Sequence, residues 1–449
     1  MMANTSITGR TSREIADSLE AAVESGSLRP HDPVPSVRGL ATRLGVSPST
    51  VAAAYRDLRV RGIVVSMEGR DTRVAARPPV WTAPSSPATG GAMSAVGARD
   101  VSDGNPDRDL LPDLRAAIGR IDTSPCVYGA ATVNPALAEI AHEQFADLRE
   151  QLGSEIGQVA VVGGAMDGVE RVLTSCTRPG DRVIVEDPGH AGILDLARAM
   201  GLESVGVGID DDGPVPDDVR RALQTRPAAF VVTPRAQNPA GSALSAERAA
   251  VLREILAGRK EMTVVENDHA SLTAGAAYVS LSVGRTNWAV VRSMSKHLGP
   301  DLRLGFLTGD RRTVGRVAGR HLLGAGWVSN LLQQLVVELW RDESMHASVR
   351  RAERRYRERR EALLLRLAEH GITAHGRSGL NVMVPVPHEA PVIQQMQARG
   401  WALRAGDVHR LHSPPFVRIT TATLDPAESE RLATDLAAVL APTSSSHLT

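Results

Sequence analysis

Apolar side chains at Ile15, Leu19, Ala22 and Val23 recur every three or four residues, the spacing of one helical face, and Gly26 closes that run. Ser36 opens a second such run, with Val37, Leu40, Ala41 and Leu44 on its inner face. Gly45-Val46-Ser47 reads as a tight turn. Ser49 and Thr50 then open a third helix, which carries Val51, Ala54, Tyr55 and Leu58 and ends at Gly62. Two short β-like runs follow, Ile63 to Ser66 and Thr72 to Ala75, on either side of Met67-Glu68-Gly69-Arg70-Asp71. Three helices and a hairpin predict a winged helix-turn-helix over residues 1–75.

The pattern then changes twice. Residues 76–99 are rich in Pro, Ala, Ser and Gly and show no periodicity, so they read as a linker. From residue 100 onward, short apolar runs alternate with helical segments: VAVV at 159–162, RVIVE at 182–186, AAFVVT at 228–233, MTVVE at 262–266 and WAVVRS at 288–293. Doubly apolar strands separated by helices predict an α/β body with a mostly parallel sheet buried on both faces. A basic helix is expected over 350–371, and a small α+β part over about 372–440, within a body running to residue 449.

The 449 residues, 42% hydrophobic and 23% charged, suit a globular protein of two or three domains. The two cysteines make no disulfide or metal pattern, so no metal site is expected. No apolar run is long enough to span a bilayer and the first twenty residues lack a signal-peptide core, so a cytoplasmic protein without membrane contact is expected.

The formal net charge is zero, so affinity for nucleic acid requires a local patch. The head has one: between Arg29 and Arg73 stand eight arginines against four acids. That excess suits contact with backbone phosphates, with Arg38 early in the second helix, Arg43 later in it, and Arg70 in the wing. Ser47, Ser49 and Thr50 lie where the third helix would enter the major groove. The segments Gly26-Ser27-Leu28-Arg29-Pro30, Val34-Pro35-Ser36-Val37-Arg38 and Leu44-Gly45-Val46-Ser47, with Thr50-Val51, Tyr55 and Leu58, resemble the head of GntR regulators. The resemblance implies double-stranded DNA as partner, contacted by Arg38, Arg43, Ser47, Ser49, Thr50 and Arg70.

Lysine usage is sharper. Lys260 and Lys296 are the only lysines among 51 basic residues. A chain that otherwise uses arginine keeps lysine where an amine must lose its proton and attack a carbonyl. Lys296 follows an apolar strand in Ser293-Met294-Ser295-Lys296, with Arg303 downstream, and can form a Schiff base with an aldehyde cofactor whose phosphate the hydroxyls and Arg303 neutralise. Val162-Gly163-Gly164-Ala165 reads as a strand, a glycine turn and a helix start that offers free N–H groups to a phosphate.

These pieces, with Gly104-Asn105-Pro106-Asp107, Glu186-Asp187-Pro188-Gly189, Thr233-Pro234-Arg235-Ala236-Gln237-Asn238-Pro239 and Phe416-Val417-Arg418-Ile419-Thr420, resemble fold-type I aminotransferases in order. Head and body together resemble the MocR subfamily of GntR regulators. The resemblance implies pyridoxal 5'-phosphate on Lys296, Asn238 at the ring oxygen, and Gly164, Ala165, Ser293, Ser295 and Arg303 at the phosphate. It also implies Arg418 on an amino acid's carboxylate, and a homodimer in which Tyr128 reaches the partner's phosphate.

The chain departs from the pattern where the ring would sit. His190 stands where tyrosine often follows Glu-Asp-Pro-Gly, and Glu-Asp-Asp-Tyr becomes Glu266-Asn267-Asp268-His269. Either Asn267 or Asp268 faces the pyridine nitrogen. Transamination needs that nitrogen protonated, which a carboxylate secures and an amide does not; binding an amine has no such need. The expectation is therefore a regulator that senses pyridoxal phosphate or a small amine or amino-acid effector. The alternative is a working aminotransferase with an appended head.

Overall fold

The computed structural model describes residues 7–66, 72–75, 97–154 and 156–441. In the head, α1 (Ser12–Glu24) starts with a capping box in which Thr11 and Glu14 exchange hydrogen bonds. α2 (Val37–Leu44) starts at Ser36, whose hydroxyl accepts the Gly39 N–H, and stops at Gly45 in the left-handed conformation. α3 (Pro48–Val60) starts one residue before the serine and threonine expected to open it. Ser47 is its cap, and Pro48 sits at the first position, where no N–H is needed.

The hairpin pairs β1 (Val64–Ser66) with β2 (Thr72–Val74). Ile15, Leu19, Leu40, Val51 and Leu58 form the core of this unit. The wing tip with Arg70, and residues 76–96 of the expected linker, lie outside the described residues.

Seven strands of the body form one sheet in the order Ala160–Val162, Gly305–Gly309, Trp288–Ser293, Thr263–Asp268, Ala229–Val232, Arg182–Asp187, Glu203–Asp210, and the short strand Gly213–Pro214 pairs antiparallel at the outer edge. Only Gly305–Gly309 runs against its neighbours within the seven. The five strands expected from apolar runs are present. Glu203–Asp210 and Gly305–Gly309 were not anticipated: the first is only half-buried, and glycine ends the second on both sides.

Helices cover both faces of the sheet, as doubly apolar strands require. A small antiparallel sheet joins Asn381–Pro385, Phe416–Thr420 and Arg404–Ala405. The basic helix begins earlier than its arginines suggested, spanning Glu343–Glu369 with Asp342 as its cap. Met345 and Val349 at one end pack into the large core, and Leu363 and Leu367 at the other pack into the small one. Arg99, assigned to the end of the linker, already belongs to the body: Arg99–Asp100 pairs with Trp401–Ala402, and its guanidinium meets Glu428 at 2.8 Å.

Candidate functional site

A cavity of about 370 Å³ opens at the carboxyl ends of the parallel strands, between the large sheet and the small one. This is where α/β sheets hold ligands, because loops and helix N-termini converge there. Lys296, Ser293, Ser295, Asn267 and His269 line it from two adjacent strands and the turns after them. Ala165, His190, Asn238, Arg303 and Arg418 complete the set brought together from sequence. Gly164 adjoins it: its φ is 100°, and a β-carbon there would come within 3.4 Å of the Arg303 guanidinium.

Lys296 Nζ donates to the Gly104 carbonyl at 2.7 Å. Burial, then the Arg418 charge, lower its pKa to about 8, so the neutral amine needed for attack on a carbonyl is accessible near neutral pH. Arg418 is buried; it donates to Asn238 Oδ1 at 3.0 Å, to the Ser102 carbonyl, and toward His409 Nε2 at 3.4 Å. That last bond requires a neutral imidazole, and burial does hold His409 well below its usual pKa.

His190 and His269 are pushed down to about 3 and about 4, burial being the first cause in both. All three rings therefore enter the site uncharged at neutral pH. At the opposite end, Ser293 Oγ donates to Ser295 Oγ at 2.9 Å, and the helix Ala165–Cys176 begins at Gly164 without a side-chain cap. Its first N–H groups are available to an anion.

Two candidates are not brought to the cavity. Successive residues of a strand point to opposite faces, so Asn267 lines the cavity while Asp268 turns away. Asp268 is fully buried and gripped by two arginines: Arg235 by two bonds of 2.9 and 2.8 Å, and Arg292 by one of 2.8 Å. These charges hold its carboxyl far below the usual range against the opposing effect of burial. The register left open by the sequence thus places the amide, not the carboxylate, on the cavity side. Tyr128 is 91% exposed and meets the edge of Trp327, away from its own chain's cavity.

In the head, Arg38, Arg43, Ser47 and Ser49 are exposed and Thr50 is half-buried. Ser47 Oγ accepts from the Thr50 N–H at 3.1 Å and lies 2.7 and 2.8 Å from the Ser49 and Thr50 hydroxyls, so part of its capacity is used in capping α3. The Tyr55 hydroxyl donates to the Pro35 carbonyl at 2.7 Å, which fixes α3 against the start of α2 beside Arg38.

The model of bacterial regulatory proteins of the gntR family matches residues 11–74, and that of class I and II aminotransferases matches residues 100–436. The vitamin B6 salvage pathway transcriptional repressor PtsJ of Salmonella typhimurium is 35% identical over 96% of this chain and 98% of its own length. The chain belongs to the MocR-type GntR transcriptional regulators. The pyridoxine biosynthesis regulator PdxR of Corynebacterium glutamicum is 28% identical over 53% of this chain and 52% of its own length. Among solved structures, the α-aminoadipate aminotransferase LysN of Thermus thermophilus shares the body's fold, with a TM-score of 0.67, 22% identity and coverage of 77% and 93% of the two chains.

A MocR-type body is of a class that typically binds pyridoxal phosphate, and the residues here fit that group. Asn267 Oδ1, His190 Nδ1, His269 Nδ1 and Arg418 Nε are buried without a hydrogen-bond partner among the described residues. Buried polar atoms are rarely left so unless something meets them. Sequence reasoning missed Arg404 and His409 on the cavity wall. The signal was available: Arg404 interrupts the apolar run Trp401-Ala402-Leu403. It also missed Arg235 and Arg292, because pairing with Asp268 depends on contacts far apart in sequence.

The head implies DNA binding. Arg38→Ala is expected to weaken that binding on all sequences alike and to lower the slope of log affinity against log salt by about 1, as loss of one phosphate contact does. Affinity measured across a salt series checks this; an unchanged slope removes Arg38 from the contact surface.

Proposed function

We propose that this regulator holds pyridoxal phosphate on Lys296 and senses that cofactor or an amino compound, its occupancy altering how the heads engage DNA. PtsJ, by its name a repressor in vitamin B6 salvage, supports this direction. Asn238 would meet the ring oxygen, His190 and His269 the ring, and Asn267 its nitrogen. Gly164, Ala165, Ser293, Ser295 and Arg303 would hold the phosphate, with Tyr128 from a second copy in a homodimer. Arg418 would take the carboxylate of the amino compound. Arg38, Arg43, Ser47, Ser49, Thr50 and, from the wing, Arg70 would contact the operator. The response would be a population shift, in which the ligand favours one arrangement of the heads over another.

The observation that carries this reading is Asn267. The cofactor, when bound, supplies an electron sink for an amino acid's α-carbon, and a carboxylate at its ring nitrogen keeps that sink strong. Here the amide lines the cavity and the neighbouring carboxylate is committed to Arg235 and Arg292.

The test mixes the cofactor-loaded protein with an amino acid and a 2-oxo acid and follows oxo-acid exchange. Turnover far below about 1 s⁻¹ is expected, and sustained turnover at ordinary enzyme rates overturns the sensor reading in favour of a transaminase. In the same assay Asn267→Asp should raise exchange about tenfold or more, because a carboxylate beside a basic nitrogen raises its pKa by about 1–3 units.

A further inference from the structure

The helix Arg311–Leu323 carries four arginines, Arg311, Arg312, Arg316 and Arg320, and no acid. Val314 and Val317 turn one of its faces into the core of the body. On the other face Arg312, Gly315, Arg316, Gly319 and Arg320 are exposed. Arg312, Arg316 and Arg320 recur at every fourth position, so their guanidiniums form a row along the helix, with the two glycines beside it.

This face works against the helix that bears it. Like charges four residues apart repel, and glycine weakens a helix interior. The fold does not relieve either cost. Among the described residues, the guanidiniums of Arg311, Arg312 and Arg320 make no ion pair or hydrogen bond, and that of Arg316 meets the Ser175 carbonyl at 3.3 Å. Asp310, which caps the helix, is occupied by the Thr313 hydroxyl and by the N–H groups of Trp288, Arg312 and Thr313. Asp167, on the neighbouring helix Ala165–Cys176, holds Arg171. The glycines are not required by packing either: a β-carbon at Gly315 or Gly319 would meet nothing within 4 Å. A chain that breaks its local rules on one exposed face keeps that face for a partner outside the fold.

The chemistry of the face selects a polyanion. Guanidiniums bind phosphates through paired, charge-assisted hydrogen bonds, and glycine lets a backbone approach closely. From Arg312 to Arg320 the row is about 12 Å long, over which one DNA strand presents three or four phosphates. Duplex DNA is also the anion that the head of a GntR regulator brings near. Residues 76–96 join head to body and span at most about 75 Å when extended, so the body stays within about 20 base pairs of a bound head. A tethered site of that reach acts at high effective concentration even when it is weak alone. Leu322 and Leu323, exposed at the far end of the helix, suit an apolar contact instead, so the row ends at Arg320.

We infer that the body makes its own contact with DNA: Arg312, Arg316 and Arg320, with Arg311 beside them, hold the phosphate backbone of duplex flanking the site taken by the head. The contact is independent of base sequence, since it reaches phosphates and not base edges. It is independent, too, of what the cavity binds.

The test measures affinity of the full-length protein for a duplex of about 60 base pairs of arbitrary sequence across a salt series. In the triple variant Arg312→Ala, Arg316→Ala, Arg320→Ala the slope of log affinity against log salt should fall by about 2–3, as loss of three phosphate contacts requires. Affinity in 0.1 M salt should fall about tenfold or more. The control removes the same charge elsewhere on the body, through Arg350→Ala, Arg351→Ala and Arg354→Ala on the helix Glu343–Glu369, where the three are exposed. It should change the slope by less than about 1. In Gly315→Leu with Gly319→Leu, affinity should fall at least about threefold while the thermal transition of the body does not.

An unchanged slope in the first triple overturns the contact; if light scattering then shows an altered oligomeric mass, the row joins copies of the chain instead. Equal losses in the two triples mean a diffuse field and overturn the assignment to this helix. Unchanged affinity in the glycine variant overturns the close approach of the DNA backbone. The Arg38→Ala measurement on the head stands apart from all of these, so failure here leaves the head's own binding untouched.

Discussion

A Lys296→Ala protein should show none of the visible absorption that wild type gains on mixing with pyridoxal phosphate. The loss should be complete, because the chain's other lysine cannot take over. The second lysine, Lys260, is exposed and precedes the strand Thr263–Asp268, whereas the cavity lies beyond that strand's other end. Six extended residues at about 3.3 Å each separate the two by roughly 20 Å. Lys296→Arg should fail equally, since arginine keeps the charge but does not lose its proton to become a nucleophile. Both variants should retain operator binding, with an affinity that no longer responds to added cofactor. Visible absorption retained in Lys296→Ala would place the cofactor elsewhere and remove the central residue of the proposed site.

The largest stability effect is expected one strand position away from the ligand. Asp268→Ala leaves Arg235 and Arg292, 10% and 2% exposed in their side chains, buried without their shared carboxylate. Breaking a buried ion pair from one side costs about 3–5 kcal/mol. The thermal transition of the body should fall accordingly, with that of the head unchanged.

The pH dependence has a definite sign. The Asp268 carboxyl is depressed in the folded chain, so its contribution is complete above the ordinary carboxylate pKa of about 4 and is lost only as pH falls below that, toward the folded value. The wild-type body should therefore lose its stability advantage over Asp268→Ala only in strong acid. A variant with an unchanged transition would show that the two arginines find other partners.

The head was legible almost residue by residue, because its helices are amphipathic and its caps are local: Ser36 and Gly45 mark ends that need no distant contact. The one displaced boundary, at Ser47, came from competition among three neighbouring hydroxyls for a single capping role. In the body the doubly apolar strands were plain, whereas Gly305–Gly309 was not, since it runs antiparallel between two strands and offers few side chains to read.

At the site, the sequence named the residues but left the choice between Asn267 and Asp268 open. That choice is a matter of strand phase, fixed by which face Arg235 and Arg292 occupy. Arg404 escaped notice because its meaning depends on standing opposite Arg418, a pairing between strands more than ten residues apart.

The amide at Asn267 bears on what kind of information the molecule would return to its operator. A catalyst consumes what it binds, so its average occupancy reflects traffic through a pathway as much as supply. A pocket that grips an amine and releases it chemically unchanged comes to equilibrium with the surrounding pool. Its occupancy then reads concentration alone, like a gauge rather than a meter, and gene expression governed by it would follow the size of the pool and not the rate at which the pool turns over.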